Sequence, residues 1–488
     1  AGVLAVVAAT LWLLTRRARW PMHPAIRVAA LTACVLYLFA LADWRSPRIR
    51  PLFEQRGIVN VLWDNNANVR GNGLLLTMVM NVRSLVVSRP GYSQEAVEEA
   101  LAPFAGEASP QERPASAPDV VLYMGEAVWD PTLLGVRFSR DPIPNLRRLW
   151  TDSGSHGLLS PSFGGGTANV EFELLTGIPL AMLPEDSFPY QHYVTRQLEA
   201  LPSIFREQGY RTVAVHPFHS WYWARNVVYP LIGFDSFVAL EQLEPVPREG
   251  PYPSDEPMVD RLLRELDESG GKPTFALAIS MVSHGPYLYE RQPAPEVTVL
   301  DALEPNSVHE LENYASALFR ADRALGRLVE ALKARSRPTL LVAFGDHLPA
   351  LGPGQSIYRE LGFNSAEALA RDPGCMSRTP LAFWSNYPIE LPPAEIGTTF
   401  LGPHVLQAAG VAPRGYFALL ADLNERLGAV QPRLLRSGDD WYAGPADPKL
   451  PAEVRSEIDR VFLLSYDRLL GSGYGQRVGE AVSTAASP

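Results

Sequence analysis

Two carboxylates and an imidazole, Glu126, Asp346 and His347, stand just past apolar runs of this chain. Mixed oxygen and nitrogen donors of this kind suit one divalent cation, with Mn favoured and Mg or Zn as alternatives. Gly345 precedes the Asp346–His347 pair and, lacking a Cβ, lets two adjacent side chains approach one ion. The segment from Pro161 to Gly177, PSFGGGTANVEFELLTG, carries a second signal. Three glycines lead into a helix-like run that begins near Thr167. A hydroxyl and backbone N–H groups are thereby offered at a helix N-terminus, where anions bind well. An ordinary N-cap threonine needs no three preceding glycines, which favours a nucleophile over a cap. A threonine hydroxyl is a poor nucleophile until a base or a metal activates it. A cation held by Glu126, Asp346 and His347, with Thr167 completing the set, would supply that activation and steady phosphoryl oxygens.

These groups need a frame. After Asp119 short apolar runs alternate with helical patterns. The strand candidates are Val120–Tyr123, Gly157–Leu159, Thr212–Val215, Thr274–Ser280 and Thr339–Phe344. Helical periodicity falls around Ile143–Trp150, Leu201–Gln208, Met258–Asp267, Glu310–Ala334 and Phe400–Ala409. The alternation predicts an α/β fold, a mostly parallel central sheet with helices on both faces. Ligands in such sheets bind outside the carboxyl ends of the strands. Glu126, His216, His284 and the Asp346–His347 pair all fall just past such ends, as one shared metal or catalytic site requires.

Upstream the character changes. Ala1 to Leu14 is apolar and reads as the tail of a longer span; Arg16, Arg17 and Arg19 follow, then a second apolar stretch from Val28 to Ala42. Residues 1–44 are expected to form a transmembrane hairpin; a signal peptide, which two stretches flanking a basic loop fit poorly, is the competing reading, and a buried helical hairpin the bland one. The arginines place the loop in the cytoplasm and everything after the second span outside it, periplasmic in a Gram-negative cell. Residues 45–92 read as a membrane-proximal amphipathic region, its stretch from Asn65 to Val87 lying on the membrane or packing on the main domain. Residues 93–118 read as a linker with a short helix at Gln94–Leu101, residues 119–430 as the catalytic domain, and 431–488 as a C-terminal extension. The net charge of -10 argues against nucleic acid as a partner. The two cysteines, Cys34 and Cys375, fit neither an internal disulfide nor a thiolate zinc site.

From about Asp119 to Gly428 the chain resembles the alkaline phosphatase/sulfatase superfamily. The likeness is to the branch holding lipoteichoic acid synthase and the phosphoglycerol transferases of periplasmic glucans. It is carried by Val-Leu-Tyr-Met-Gly-Glu126, by Gly-Gly-Gly-Thr167 with Glu-Phe-Glu-Leu-Leu-Thr-Gly177, and by Phe-Gly-Asp346-His347. His216-Pro-Phe-His-Ser-Trp-Tyr-Trp223-Ala-Arg225 and Ser283-His284-Gly-Pro-Tyr287 resemble that branch in particular. The resemblance implies that His216, Trp223, Arg225 and His284 surround a glycerol-phosphate headgroup. It also implies transfer of phosphoglycerol from phosphatidylglycerol to a glycan or polyglycerol-phosphate acceptor, through a covalent intermediate on Thr167. The pattern departs at Ala127, where the family often has serine, and in a membrane portion shorter than five spans. A formylglycine sulfatase is rejected, because Cys375-Met-Ser-Arg378 sets its arginine one position early and far from the nucleophile loop. A phosphoethanolamine transferase, usually rich in disulfides, and a phosphodiesterase that hands the group to water remain as alternatives. A binding module without activity would have lost a ligand or the nucleophile, and none is missing. The sequence leaves the oligomeric state open.

Overall fold

The protein is described from a computed structural model covering residues 50–60, 65–81, 87–104, 116–185, 187–243, 245–288 and 294–476, with Ala25, Val28, Ala29 and Thr32 besides. Apart from those four, the expected hairpin at 1–44 lies outside the described residues, as does much of the expected linker, residues 105–115. Among the described residues no helix is long and apolar enough to cross a membrane.

Residues 1–88 with 184–187 form one compact unit, and residues 89–183 with 188–488 the other. In the first, the single amphipathic helix expected from Asn65 is instead two, Asn65–Asn72 and Leu74–Asn81. Gly73 breaks them with a left-handed backbone, φ 76°. Phe53 and Met80 are buried there, with Ile58 and Leu76 packed against them.

The second unit is built on an eight-stranded sheet. Its strands are β1 (Asp119–Gly125), β2 (His156–Leu159), β3 (Arg211–Val215), β4 (Ser236–Val238), β5 (Thr274–Ile279), β6 (Thr339–Gly345), β7 (Arg378–Ser385) and β8 (Glu395–Gly397). They lie in the order β8-β2-β7-β6-β1-β5-β3-β4. All run parallel except β7, which is antiparallel to both β2 and β6. The expected mostly parallel sheet is therefore present; four of its five foreseen strands are longer than expected and Thr274–Ser280 ends one residue earlier, at Ile279.

Central strands are buried at every position, as a sheet covered on both faces demands. One face carries Val121, Tyr123, Ala276, Ala278, Leu341 and Ala343. It packs on apolar residues of helices Pro144–Asp152, Glu256–Asp267 and Pro305–Lys333. On the other, Phe275 stacks on Phe205 of helix Leu201–Glu207 with ring centroids 4.6 Å apart. The described helix Gln94–Leu101 falls where it was expected, capped by Ser93.

Register decides where the chemistry falls. Gly125 of β1 pairs with Gly345 of β6, and Met124 with Ile279 of β5. The residues that follow, Glu126, Ser280 and Asp346, thus leave the sheet side by side. Gly345 is fixed by space rather than by backbone conformation. A Cβ there would sit 1.8 Å from the carbonyl oxygen of Val128. Gly345→Ala is expected to cost at least about 3 kcal/mol, because backbone must move. Thermal unfolding measures the loss, and a melting temperature equal to wild type would contradict the close approach.

Candidate active site

The loop after β2 brings in the nucleophile candidate. Gly164, Gly165 and Gly166 have φ of 68°, 146° and 89°, three successive values in the region that disfavours a side chain. That geometry explains the glycine run. The chain turns sharply and starts helix Thr167–Thr176, with Gly166 as N-cap and no side-chain cap. Thr167 is therefore not an N-cap. Its hydroxyl instead donates to Oε2 of Glu126 at 2.6 Å.

The far end of this helix is held from the C-terminal region. Arg468 donates to the carbonyl of Thr176 at 2.8 Å, placing a cation at the helix C-terminus. Tyr416 donates to Gly177 O at 2.8 Å. Arg468 lies 4.2 Å from the Tyr416 ring centroid.

Glu126, Asp346 and His347 are all buried and offer ligand atoms within 4.8 Å of one another. Their orientation is set by the backbone. Asp346 Oδ1 accepts the N–H groups of Ala127 and His347, each at 2.7 Å. The Ala127 contact uses only its amide, so the missing serine hydroxyl removes none of the support seen here. Ser280 Oγ accepts from Glu126 N at 2.8 Å, and Ser283 Oγ donates to Glu126 O at 2.6 Å. His347 Nδ1 faces Leu348 O at 3.0 Å and so carries a proton, which aims Nε2 inward.

Asp346 Oδ2 and His347 Nε2, both buried, lack a hydrogen-bond partner. They lie 3.3 Å apart, with Glu126 Oε1 3.6 Å from the same nitrogen. Buried polar atoms left unpaired at this spacing fit a cation, with Glu126, Asp346, His347 and the Thr167 hydroxyl as the residues that would hold it. Without one, protons relieve the repulsion. Burial and then the charge of Glu126 push Asp346 up to about 7. Burial opposes charging of His347, but Asp346 and Glu126 outweigh it and raise the imidazole above its ordinary value. Glu126 is held low. Burial works against its charge, yet His284, His347, the Thr167 hydroxyl and Arg225 together favour it.

The other expected site residues are placed as follows. Arg225 is fully buried and pairs with Glu171, its Nε at 3.1 Å and Nη2 at 3.0 Å from Oε2. His216 is buried, with Nδ1 2.9 Å from Ile279 O. Burial, then the charge of Arg225, holds it well below the usual histidine range, hence neutral. His284 is half-buried, its Nδ1 on Gly285 O and its ring beside Tyr252. Electrostatic coupling joins Arg225 and His284 to Glu126 and to His216. Trp223 stands apart in kind: its ring is buried in a stack on Phe188, centroids 4.7 Å apart.

Glu171 had no assigned role in the sequence. A signal existed, since it lies one helical turn beyond Thr167, on the same face of the helix. Asp255 was also missed; it accepts Met281 N at 2.7 Å and so fixes the loop that carries Ser283 and His284. No local pattern marked it.

Cation binding must displace protons from Asp346 and His347. Apparent affinity for Mn is therefore expected to fall as pH drops through about 7 and to be lost in Asp346→Asn. Titration calorimetry at several pH values checks both, and a pH-independent affinity would contradict the shared-proton site.

The comparisons with known proteins agree with this geometry. Residues 118–411 match the family described as Sulfatase. A protein of Rhizobium meliloti (strain 1021), provisionally named a cyclic beta-1,2-glucan modification protein, is 32% identical over 479 residues. That match covers 94% of this chain and 70% of the relative. Among solved structures, the phosphoglycerol transferase GacH of Streptococcus pyogenes, in complex with sn-glycerol-1-phosphate, has a TM-score of 0.64 at 22% identity, over 80% of this chain and 97% of that one. The lipoteichoic acid synthase LtaP of Listeria monocytogenes has a TM-score of 0.54 at 19% identity, over 78% and 98%. At those identities the likeness is one of fold. With the family match spanning the whole sheet and every candidate ligand, the chain belongs to the sulfatase family.

Proposed function

We propose that this protein is a phosphotransferase that moves phosphoglycerol from phosphatidylglycerol to a glycan or polyglycerol-phosphate acceptor. One observation carries the reading. The Thr167 hydroxyl, held at a glycine-built helix start, donates to a carboxylate of the cation-ready cluster. Thr167 Oγ1 would form a bond to phosphorus as the bond from phosphorus to the diacylglycerol oxygen breaks. The Thr167 proton is directed at Glu126, and the departing oxygen takes up a proton as diacylglycerol. An acceptor hydroxyl would then displace Thr167 from the glycerophosphoryl group. A bound cation, Mn by preference, would add Lewis acidity at the nucleophile and the phosphoryl oxygens.

The surrounding residues suit that cargo. Arg225, paired with Glu171 through its Nε–Nη2 side and close to Tyr229, holds a fixed positive charge that would draw a phosphate group. Neutral His216, with Nδ1 engaged on Ile279 O, offers Nε2 as an acceptor. It therefore suits a glycerol hydroxyl better than a phosphate anion. The name of the Rhizobium meliloti relative, a cyclic beta-1,2-glucan modification protein, supports a glucan acceptor. The apolar stretches and arginines of residues 1–44 support anchoring at the cell membrane, with the catalytic domain outside the cytoplasm.

Purified protein incubated with phosphatidylglycerol and Mn is expected to release diacylglycerol and to gain a glycerophosphoryl adduct. Both should vanish in Thr167→Ala. Lipid analysis and intact mass read them out, and the adduct mass separates glycerophosphoryl from phosphoethanolamine. Release that persists in Thr167→Ala would sink the nucleophile assignment.

A further inference from the structure

The turn between β3 and Arg225 carries an aromatic side chain that the site does not use. Trp221 is 62% exposed, whereas Trp129 and Trp223 are buried. An exposed indole offers a broad flat apolar face with a polar N–H at its rim. The ring is also held in place. It stacks on His219 with centroids 5.4 Å apart and planes only 17° from parallel. Tyr222 meets its edge at 6.0 Å. His219 is itself tied down, with Nδ1 3.1 Å from Glu241. The carboxylate of Glu241 also accepts Ser220 N, at 3.2 Å to each oxygen. One indole face is thus packed on a fixed imidazole, and a carboxylate lies next to the pair. Arg225 is four residues along the chain and His216 five residues back, so no more than about 15 Å of chain separates the ring from Arg225.

We infer that Trp221, backed by His219 and flanked by Glu241, is the platform on which a sugar ring of a neutral glycan acceptor stacks. The inference rests on the transferase reading above and adds the residues that recognise the acceptor. The chemistry matches. The C–H face of a pyranose is apolar and flat enough to lie on the indole face that His219 leaves open, while its hydroxyls point outward to water. A membrane anchor is the rival use of an exposed tryptophan. Glu241 beside the ring and the net charge of -10 both disfavour contact with an anionic phosphatidylglycerol surface.

The test uses the full chain, with cyclic β-1,2-glucan as acceptor and phosphatidylglycerol vesicles as donor. Trp221→Ala is expected to raise the glucan KM about tenfold with kcat little changed, and Trp221→Phe to recover most of that loss. Binding of glucan alone, by calorimetry, should weaken by a similar factor, and sedimentation with the vesicles should not change. An unchanged KM with unchanged glucan binding overturns the platform. So does a loss of vesicle binding in Trp221→Ala, which would make the residue a membrane contact. If the wild-type protein forms no adduct, the donor reading fails, yet glucan calorimetry on wild type and Trp221→Ala still decides the platform.

Discussion

Two carboxylates and an inward-facing imidazole nitrogen, packed within 4.8 Å and shielded from water, repel one another unless charge is supplied. Everything at the carboxyl edge of the sheet follows from accommodating that repulsion. Folding the chain around it is costly in the absence of protons or a cation, because buried like charges are poorly screened. The backbone offsets part of the cost by giving Asp346 Oδ1 two amide donors. It leaves Oδ2 without one. A purely structural carboxylate would not be left half-paired in this way, so the incomplete pairing points to a ligand.

The same constraint explains the two glycine sites. The Gly345 backbone meets Val128 too closely for any Cβ, which lets β1 and β6 deliver Glu126 and Asp346 to neighbouring positions. The run from Gly164 to Gly166 turns the chain back so that Thr167 begins its helix facing Glu126. One is steric and the other conformational. Both serve to bring an oxygen atom to the same place.

Most of this frame was legible in the residues. Strands such as Val120–Tyr123 and Thr339–Phe344 are read from uninterrupted apolar runs, because a sheet covered on both faces buries every position. The missed strands break that rule. Ser236–Val238 and Glu395–Gly397 have three residues each. Arg378–Ser385 contains Pro380, which argues against a strand in a sequence, yet it lies between β2 and β6. At the site, Thr167, Glu126, Asp346 and His347 were marked by local motifs. The partnership of Glu171 with Arg225 joins residues 54 apart, and only the fold brings them together. Arg468, which holds the end of helix Thr167–Thr176, comes from still further along the chain, in a region read as an extension.

The turn from Trp221 to Arg225 shows how strain and burial are balanced near that site. Trp223 and Ala224 both have φ of 58°, a left-handed pair that is rare for a side chain as large as indole and costs of order 1–3 kcal/mol per residue. Nothing in a solvated loop would hold such a pair. Here it is held because Trp223 stacks on Phe188 and because Arg225, immediately after, enters a fully buried ion pair with Glu171. Breaking that pair would leave a buried charge without a partner, a larger penalty than the strained backbone. The reversal of the chain through the left-handed residues then separates two indoles that lie two positions apart. Trp223 is turned into the protein and Trp221 out into solvent. The backbone that commits Arg225 to the interior is thus the same backbone that presents Trp221 at the surface.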